Sequence, residues 1–425
     1  MKTMSESREP SASQSSASRA RIQLGRRFRQ VPHLLRTEGL AAVSDRIRRT
    51  AAEHLAPARA ISPVRRADIL AIDLSQPFLP PIPFAPPGQP LTVNWVITPP
   101  SPGSGGHTTL FRIVNYLEAH GYRNRIYFYD PYGGDQLYYE SIVRSYYNFC
   151  GPVASFDHGM EDAHIVFATS WSTAYPIFNS RTAGKRFYFI QDFEPFFYPV
   201  GSTSSLAENT YRMGFHGISI GRSFAEKLRT EYGMAVDTFK FGCDLSLYQR
   251  AASDPPRSGI VFYARRDNAR RGLELGLMAL ELFASRRPDV EIHIYGDSIG
   301  KQPFRYTDHG CTTPAQLNQI YNRCRTGLCL SFTNVSLVPL EMLAAGCIPV
   351  VNDTPSARTD MPNPFIAYAP PYPQALCAQL EAVLANPDFD TLSSAAADSV
   401  RSVTWEEAGA SVDLVLRDAL REAAL

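Results

Sequence analysis

Residues 328–351 constrain the fold more strongly than any other part of this chain. They read LCLSFTNVSLVPLEMLAAGCIPVV. This pattern predicts an apolar strand, a polar loop over 331–336, an apolar helix over 337–345 that ends at Gly346, and a second strand over 348–351. Such an order is typical of a parallel sheet, with the loop at the carboxyl ends of the strands, where ligands bind.

The start of that helix is a candidate phosphate site. The N–H groups of Ser336, Leu337 and Val338 begin the helix, and the helix dipole favours an anion there. Glu341 is the only carboxylate in the helix and is predicted to accept hydrogen bonds from ribose hydroxyls. The alternative is that Glu341 lies on a solvated helix face.

Four arginines cluster after a second predicted strand, over residues 258–264, and before an amphipathic helix over 273–286. Like charges repel at such a turn, so an anionic ligand would resolve the conflict. A guanidinium group binds a pyrophosphate through two parallel hydrogen bonds. The turn that contains Arg265, Arg266, Arg270 and Arg271 is therefore predicted to bind an anion such as a pyrophosphate, and a solvated basic turn is the alternative.

Two carboxylates follow a third predicted strand, over residues 186–190. Asp192 and Glu194 stand among aromatic residues and could bind sugar hydroxyls, while Phe193 and Phe196 could stack on sugar rings or pack in the core. Paired carboxylates also occur in glycoside hydrolases. Hydrolysis would leave the arginine cluster unexplained.

A glycine-rich loop over residues 98–106 follows the first predicted strand, over 91–97. Gly105 and Gly106 can bring backbone amides close to a ligand, and His107 is predicted to begin the next helix. The glycine spacing does not match a dinucleotide fingerprint. A surface position for His107 is the alternative to a catalytic one.

These motifs resemble the donor-binding half of the retaining GT-B glycosyltransferases of family four. Three longer segments resemble, more narrowly, bacterial rhamnosyltransferases that build surface glycans. They are SPGSGGHTTLFRIVNYLEAHGY at 101–122, RFYFIQDFEPFFYPVGS at 186–202 and FYARRDNARRGLELG at 262–276. The similarity extends over residues 91–425.

The resemblance implies an α/β protein with the GT-B fold, in which two Rossmann-like, doubly wound domains face each other. The predicted segments are a disordered stretch over 1–17, a basic helical extension and Pro-rich connector over 18–90, an acceptor-side domain over 91–250, a nucleotide-sugar domain over 251–402, and a helix over 403–425 that crosses back to the first domain.

The resemblance also implies a dTDP-L-rhamnose donor, a saccharide or lipid-linked glycan acceptor, retention of configuration, and no metal or other cofactor. One departure is Thr333, because the family usually has a glutamate there. The predicted catalytic residues are Arg265, Arg270, Arg271 and Asp192; the donor-binding residues are Gly105, Gly106, His107, Thr333, Asn334, Ser336, Leu337 and Glu341; the acceptor or sugar contacts are Glu194, Phe193 and Phe196. A nucleotide-sugar epimerase of the same fold and a catalytically silent glycan-binding protein are the alternatives.

Composition limits the classes of binding partner and the cellular compartment that the sequence predicts. A net charge of +1 argues against a general nucleic-acid binder. The 7 cysteines form no Cys-x-x-Cys pair, which favours reduced thiols in the cytoplasm. No apolar run reaches the roughly 20 residues of a membrane span. The arginine-rich segment over 18–66 is predicted either to contact the anionic inner face of a membrane or to pack on the catalytic body.

Overall fold

The computed structural model describes residues 62–423, except 76–79, 85, 87, 252–255 and 335, together with a few helical positions between 36 and 51. The chain divides into two compact units, Met1–Ser62 and Pro63–Leu425. The segment predicted to be disordered, 1–17, lies outside the described residues. So does most of the basic segment proposed to contact a membrane.

The first sheet of the larger unit has seven parallel strands in the order β3-β2-β1-β4-β5-β6-β7. The order reverses between β1 and β4, so the sheet is doubly wound and its ligand-binding crevice lies at the carboxyl ends of these strands. The strands are apolar runs because helices cover both faces. They are β1 (Thr92–Ile97), β2 (Arg123–Phe128), β3 (Val153–Ser155), β4 (Ile165–Ala168), β5 (Lys185–Ile190), β6 (His216–Ile220) and β7 (Val236–Phe239).

Within the part of the chain that the structure describes from residue 62 onward, six helices that precede the second sheet in sequence accompany the first sheet. The Ser104 side chain caps the helix after β1 by accepting the His107 N–H, so this helix begins at Gly105, two residues before the predicted start. The helices are α1 (Arg66–Leu70), α2 (Gly105–Ala119), α3 (Gln136–Ser145), α4 (Trp171–Asn179), α5 (Ser202–Asn209) and α6 (Arg222–Tyr232), with 3-10 turns at Phe156–His158, Glu194–Phe197 and Thr210–Arg212.

The second sheet has six parallel strands in the order β10-β9-β8-β11-β12-β13, and this order reverses between β8 and β11. Its strands are β8 (Gly259–Ala264), β9 (Ile292–Gly296), β10 (Thr307–Asp308), β11 (Cys324–Cys329), β12 (Ile348–Asn352) and β13 (Ala367–Ala369). Its helices are α7 (Leu273–Arg286), α8 (Pro314–Arg323), α9 (Val338–Ala344), α10 (Pro355–Asp360), α11 (Pro373–Leu384) and α12 (Phe389–Asp398), with a 3-10 turn at Ala269–Arg271.

Each sheet has its own hydrophobic core. The last helix, α13 (Trp405–Ala423), follows the second sheet in sequence but packs against α2 and β7 of the first. Its apolar face is buried in the core of the first sheet, which confirms the predicted crossing helix. The buried residues of this face are Ala408, Val412, Leu416 and Ala419.

The segment before β1 also packs on the first sheet. Val64 is buried in its core, and the Arg65 guanidinium binds the Asp157 carboxylate at 2.5 Å. The Pro81 carbonyl accepts the Gly184 N–H at 2.8 Å. Part of the predicted extension, from residue 63 onward, is thus joined to the first sheet. Among the described helices, none is both long and apolar enough to cross a membrane.

We predict that Gly409→Ala lowers the melting temperature by a few degrees. On helix propensity alone, replacing glycine by alanine would stabilise the helix by about 1 kcal/mol. A Cβ atom at Gly409 would, however, overlap the Tyr116 ring of α2, and overpacking of this kind costs about 1–3 kcal/mol. Thermal unfolding followed by circular dichroism measures the change. Ser411→Ala, at an exposed position of the same helix, is the control, and an equal or higher melting temperature for Gly409→Ala would contradict the close packing.

Candidate functional site

The carboxyl ends of the two sheets meet at Asp192, which follows β5. The Asp192 Oδ2 atom accepts hydrogen bonds from Arg270 Nη1 at 3.1 Å and from Thr333 Oγ1 at 2.8 Å. Asp192 belongs to the first sheet, while Arg270 and Thr333 follow β8 and β11 of the second. Three residues that the sequence analysis placed in the site therefore share one junction, in which Asp192 and Thr333 are buried and Arg270 is partly exposed.

A second set of hydrogen bonds runs beside this junction. The Asn334 side-chain amide donates to the Gln191 carbonyl at 3.0 Å, and the Gln191 amide donates to the Gly106 carbonyl at 3.0 Å. Gly105 is exposed, and no atom of another described segment lies within 4 Å of where its Cβ would be. The glycine-rich loop after β1 and the polar loop after β11 are thus both adjacent to the end of β5.

The predicted arginine cluster divides into two parts. Arg265 lies 3.7 Å from the Asp297 carboxylate, which follows β9. Arg271 Nη1 donates to Ser331 Oγ at 2.8 Å, and burial followed by the charge of Arg270 lowers its pKa. Both arginines border the carboxyl edge of the second sheet.

Arg270 has the most unusual environment of the cluster. Its guanidinium lies over the Phe197 ring, 4.0 Å from the centroid. Its Nε atom is buried and donates no hydrogen bond within the part of the chain that the structure describes. A buried donor without a partner is costly, so a ligand that accepts from this atom would relieve the cost.

The loop after β11 is held by a residue that the sequence analysis missed. Asn352, the last residue of β12, is fully buried, and its amide binds both the N–H and the carbonyl of Ser331 at 2.8 Å. The signal was a polar residue at the end of an apolar strand.

Farther along the loop, Leu337 precedes the short helix α9, and the Val338 N–H donates to Ser336 Oγ at 3.2 Å. One of the three predicted phosphate-binding amides therefore already has a partner.

Glu341 is half-buried, one turn into α9. Burial, followed by the charge of Asp244, raises the pKa of its carboxyl to about 7, and a hydrogen bond with Tyr248 opposes that rise. Asp244 pairs with Arg112 of α2 at 2.5 Å. Asp244, Tyr248 and Arg112 were also missed, since nothing in the sequence connects α2 with the segment after β7.

Glu194 has a partner within the first sheet. Its Oε2 atom accepts the Trp171 N–H, at the start of α4, at 2.5 Å. Burial, with a smaller contribution from Asp192, raises the pKa of Glu194 to about 8. Burial also raises the pKa of Asp192 to about 6, while Arg270 and Thr333 oppose this rise. Glu194 thus holds the turn that follows Asp192 against α4.

The two predicted stacking aromatics differ in environment. Phe193 is buried and stacks on Tyr211, with the ring centroids 5.3 Å apart. This arrangement matches the core-packing alternative rather than contact with a sugar. Phe196 is 55% exposed, so its ring remains open to a ligand.

His107 is the third residue of α2, where both of its ring nitrogens have partners. Nδ1 lies 3.0 Å from Ser104 Oγ, and Nε2 lies 3.3 Å from the Thr98 carbonyl. A carbonyl can only accept, so Nε2 bears the proton. Burial lowers the pKa of His107 to about 4, which leaves the imidazole neutral near pH 7.

Comparisons with known proteins agree with this architecture. Residues 155–223 match the N-terminal domain of WsaF, and residues 258–381 match its C-terminal domain. The O-antigen biosynthesis protein RfbC of Myxococcus xanthus is 34% identical over 273 residues, which are 61% of this chain and 21% of that protein. The chain thus spans about a fifth of the length of this curated relative.

Solved structures share this fold over much of the chain. Sucrose-phosphate synthase from Thermosynechococcus elongatus has a TM-score of 0.60 at 13% identity, over 78% of this chain and 100% of that one. Anabaena Alr3699/HepE in complex with UDP-glucose has a TM-score of 0.58 at 14% identity, over 78% and 100%. TarM has a TM-score of 0.62 at 9% identity, over 78% and 99%.

The fold is GT-B. This confirms the predicted α/β architecture of two doubly wound sheets with a crossing helix.

We predict that Glu194 makes stability depend on pH. Its pKa is raised from an ordinary value of 4.5 to about 8, so its stabilising contribution is complete below pH 4.5 and is lost as the pH rises through 8. Glu194→Gln cannot ionise and still offers an oxygen to Trp171. Its melting temperature relative to the wild type should therefore rise between about pH 5 and pH 8.5.

Circular dichroism melts at these pH values measure the effect. Glu226→Gln, at an exposed position of α6, is the matched control. A constant difference between Glu194→Gln and the wild type would show that Glu194 does not ionise in this range.

Proposed function

We propose that this protein is a retaining, metal-independent glycosyltransferase that moves rhamnose from dTDP-L-rhamnose to a saccharide acceptor in the synthesis of a bacterial surface polysaccharide. The observation that most supports this is the junction of Asp192, Arg270 and Thr333. It places a carboxylate and a guanidinium group together in the cleft between the two sheets.

The arginines provide the electrostatic part of the proposed reaction. When the sugar leaves, negative charge develops on the diphosphate, and fixed positive charges in a water-poor cleft stabilise it strongly. Arg265, Arg270 and Arg271 all border the carboxyl ends of the second sheet. The buried Nε atom of Arg270, which has no partner among the described residues, is a donor available to a phosphate oxygen. With three guanidinium groups in these positions, the proposal needs no metal ion.

Glu341 would bind the ribose of the donor. A carboxylate accepts hydrogen bonds from hydroxyl groups, and a deoxyribose offers only its 3′-hydroxyl. Burial holds the pKa of Glu341 near 7, and a hydroxyl donor would favour its charged form. The donor-binding role of Ser336 and Leu337, next to this helix, stays a prediction.

The choice of rhamnose and of a surface glycan rests on similarity. The motifs at residues 101–122, 186–202 and 262–276 resemble surface-glycan rhamnosyltransferases, and the RfbC relative is named for O-antigen biosynthesis. A related fold binds UDP-glucose in Anabaena Alr3699/HepE, which supports a nucleotide-sugar as the donor. A saccharide or lipid-linked acceptor would approach from the first sheet, where the Phe196 ring is exposed.

The direct experiment incubates the purified chain with labelled dTDP-L-rhamnose and a panel of lipid-linked glycans. Transfer of label to an acceptor supports the proposal. Rearrangement of the nucleotide-sugar without any acceptor would instead identify an epimerase. Binding without transfer across the panel would identify a silent glycan-binding protein.

We predict that Arg265→Ala weakens the binding of dTDP at least tenfold. Removing one cation from a desolvated anion costs about 2–5 kcal/mol. Titration calorimetry measures the affinity, and circular dichroism checks the fold. Arg266→Ala removes an exposed arginine of the same turn and should have a much smaller effect. Equal losses in both variants would assign the effect to general charge rather than to a specific contact.

We predict that Glu341→Gln weakens the binding of dTDP about tenfold, since a hydrogen bond to a charged group contributes about 1.5–3 kcal/mol. Wild-type affinity should rise from about pH 6 to pH 8 as Glu341 loses its proton near pH 7, while the glutamine variant should show a flatter profile. Calorimetry across this range is the measurement. If Glu341 only packs, the glutamine variant binds normally, and Glu341→Ala lowers only the melting temperature.

A further inference from the structure

Thr333 has no hydroxyl hydrogen to offer a sugar. A threonine hydroxyl donates one hydrogen bond. In this structure it donates to Asp192 at 2.8 Å, and both residues are buried. Thr333 could donate to a sugar only if this bond broke, although its oxygen could still accept a hydrogen bond from a sugar hydroxyl. The group beyond it, the Asp192 carboxylate, has the greater capacity to bind a hydroxyl.

The Asp192 carboxylate can accept a further hydrogen bond. Its Oδ2 atom accepts from Arg270 and Thr333, whereas Oδ1 accepts only the Phe193 N–H, at 2.8 Å, among the bonds that the structure describes. A carboxylate offers about four acceptor positions. One position therefore remains for a ligand hydroxyl.

Arg270 connects Asp192 with a second donor that a ligand could use. One nitrogen of this guanidinium, Nη1, binds Asp192, and another, the buried Nε, has no partner in the described part of the chain. If Nε binds a donor phosphate, Asp192 lies one guanidinium group away from that phosphate. The sugar of a nucleotide-sugar is bonded to its terminal phosphate, so a phosphate bound at Nε would bring the sugar into the neighbourhood of Asp192.

We propose that Asp192 is a sugar-binding carboxylate of this chain, supplied by the first sheet, and that Thr333 is a positioning residue that orients it. This inference rests on the proposed function, because it requires a nucleotide-sugar in the cleft. It also explains why a threonine is suited to position 333. A glutamate there would place a second carboxylate against Asp192, and two buried like charges repel.

The test compares dTDP with dTDP-L-rhamnose by titration calorimetry on the full chain. Asp192→Asn should weaken the binding of dTDP-L-rhamnose about tenfold and that of dTDP less than about threefold, because only the first ligand has the sugar. Thr333→Val, which lacks the hydroxyl, should show the same selective loss. Thr333→Ser, which keeps the hydroxyl, should retain the preference for the nucleotide-sugar.

Three outcomes would overturn the inference. Equal losses for both ligands would show that Asp192 only ties the two sheets together. Tighter dTDP binding by Asp192→Asn would show that Asp192 competes with the diphosphate for Arg270. Unchanged affinities for both ligands would remove Asp192 from the site. If the wild type binds neither ligand, the proposed function itself fails, which is a separate result.

A charge exchange gives an independent measurement. Thr333→Glu alone should lower the affinity for dTDP-L-rhamnose, because it opposes Asp192. Adding Asp192→Ser to Thr333→Glu leaves one carboxylate in the same corner and should recover part of the loss. The affinity of the double variant for dTDP-L-rhamnose is compared with the value expected if the effects of Thr333→Glu and Asp192→Ser simply multiply. An affinity no higher than that value would contradict the inference, provided that circular dichroism shows all three variants folded.

Discussion

The arrangement of the cleft depends on the bonds that the buried Asp192 carboxylate makes to Arg270 and Thr333. Removing a charge from water costs several kcal/mol, and the cost is offset only when hydrogen bonds and an opposite charge surround it. Arg270 and Thr333 provide these from the second sheet. The loop after β5 and the loops after β8 and β11 are thereby held to one another by the same atom.

Two further contacts between distant described segments lie away from this point. The Asp360 carboxylate, at the end of α10, accepts the N–H groups of Arg222 and Ser223 at the start of α6, at 2.6 and 3.0 Å. It acts as a helix cap supplied by another domain, and the negative charge favours the positive helix end. Gly221 has no side chain to obstruct this approach. Arg112 and Asp244 form the second contact, beside Glu341.

The sequence analysis predicted the fold well because the relevant signals are local. Apolar runs such as β1 and β11 and the residues that follow them are visible in a few consecutive positions. Contacts between distant segments are not. The bond from Glu194 to Trp171, the burial of Phe193 and the support of Ser331 by Asn352 all depend on how strands are ordered in the sheets. The residue types at the strand ends identified candidate ligand-binding side chains. They did not show which of these side chains face a ligand and which stabilise a loop.

The crossing helix α13 affects the order in which the molecule can be built during translation. Its buried residues complete the core of the first sheet, yet they are synthesised after the whole of the second sheet. Domains usually fold as units while the chain emerges from the ribosome. Here the surface formed by α2 and β7 stays without its covering helix until the second sheet has been made. Of the two sheets, the one that is synthesised earlier is therefore the later to have its core completed.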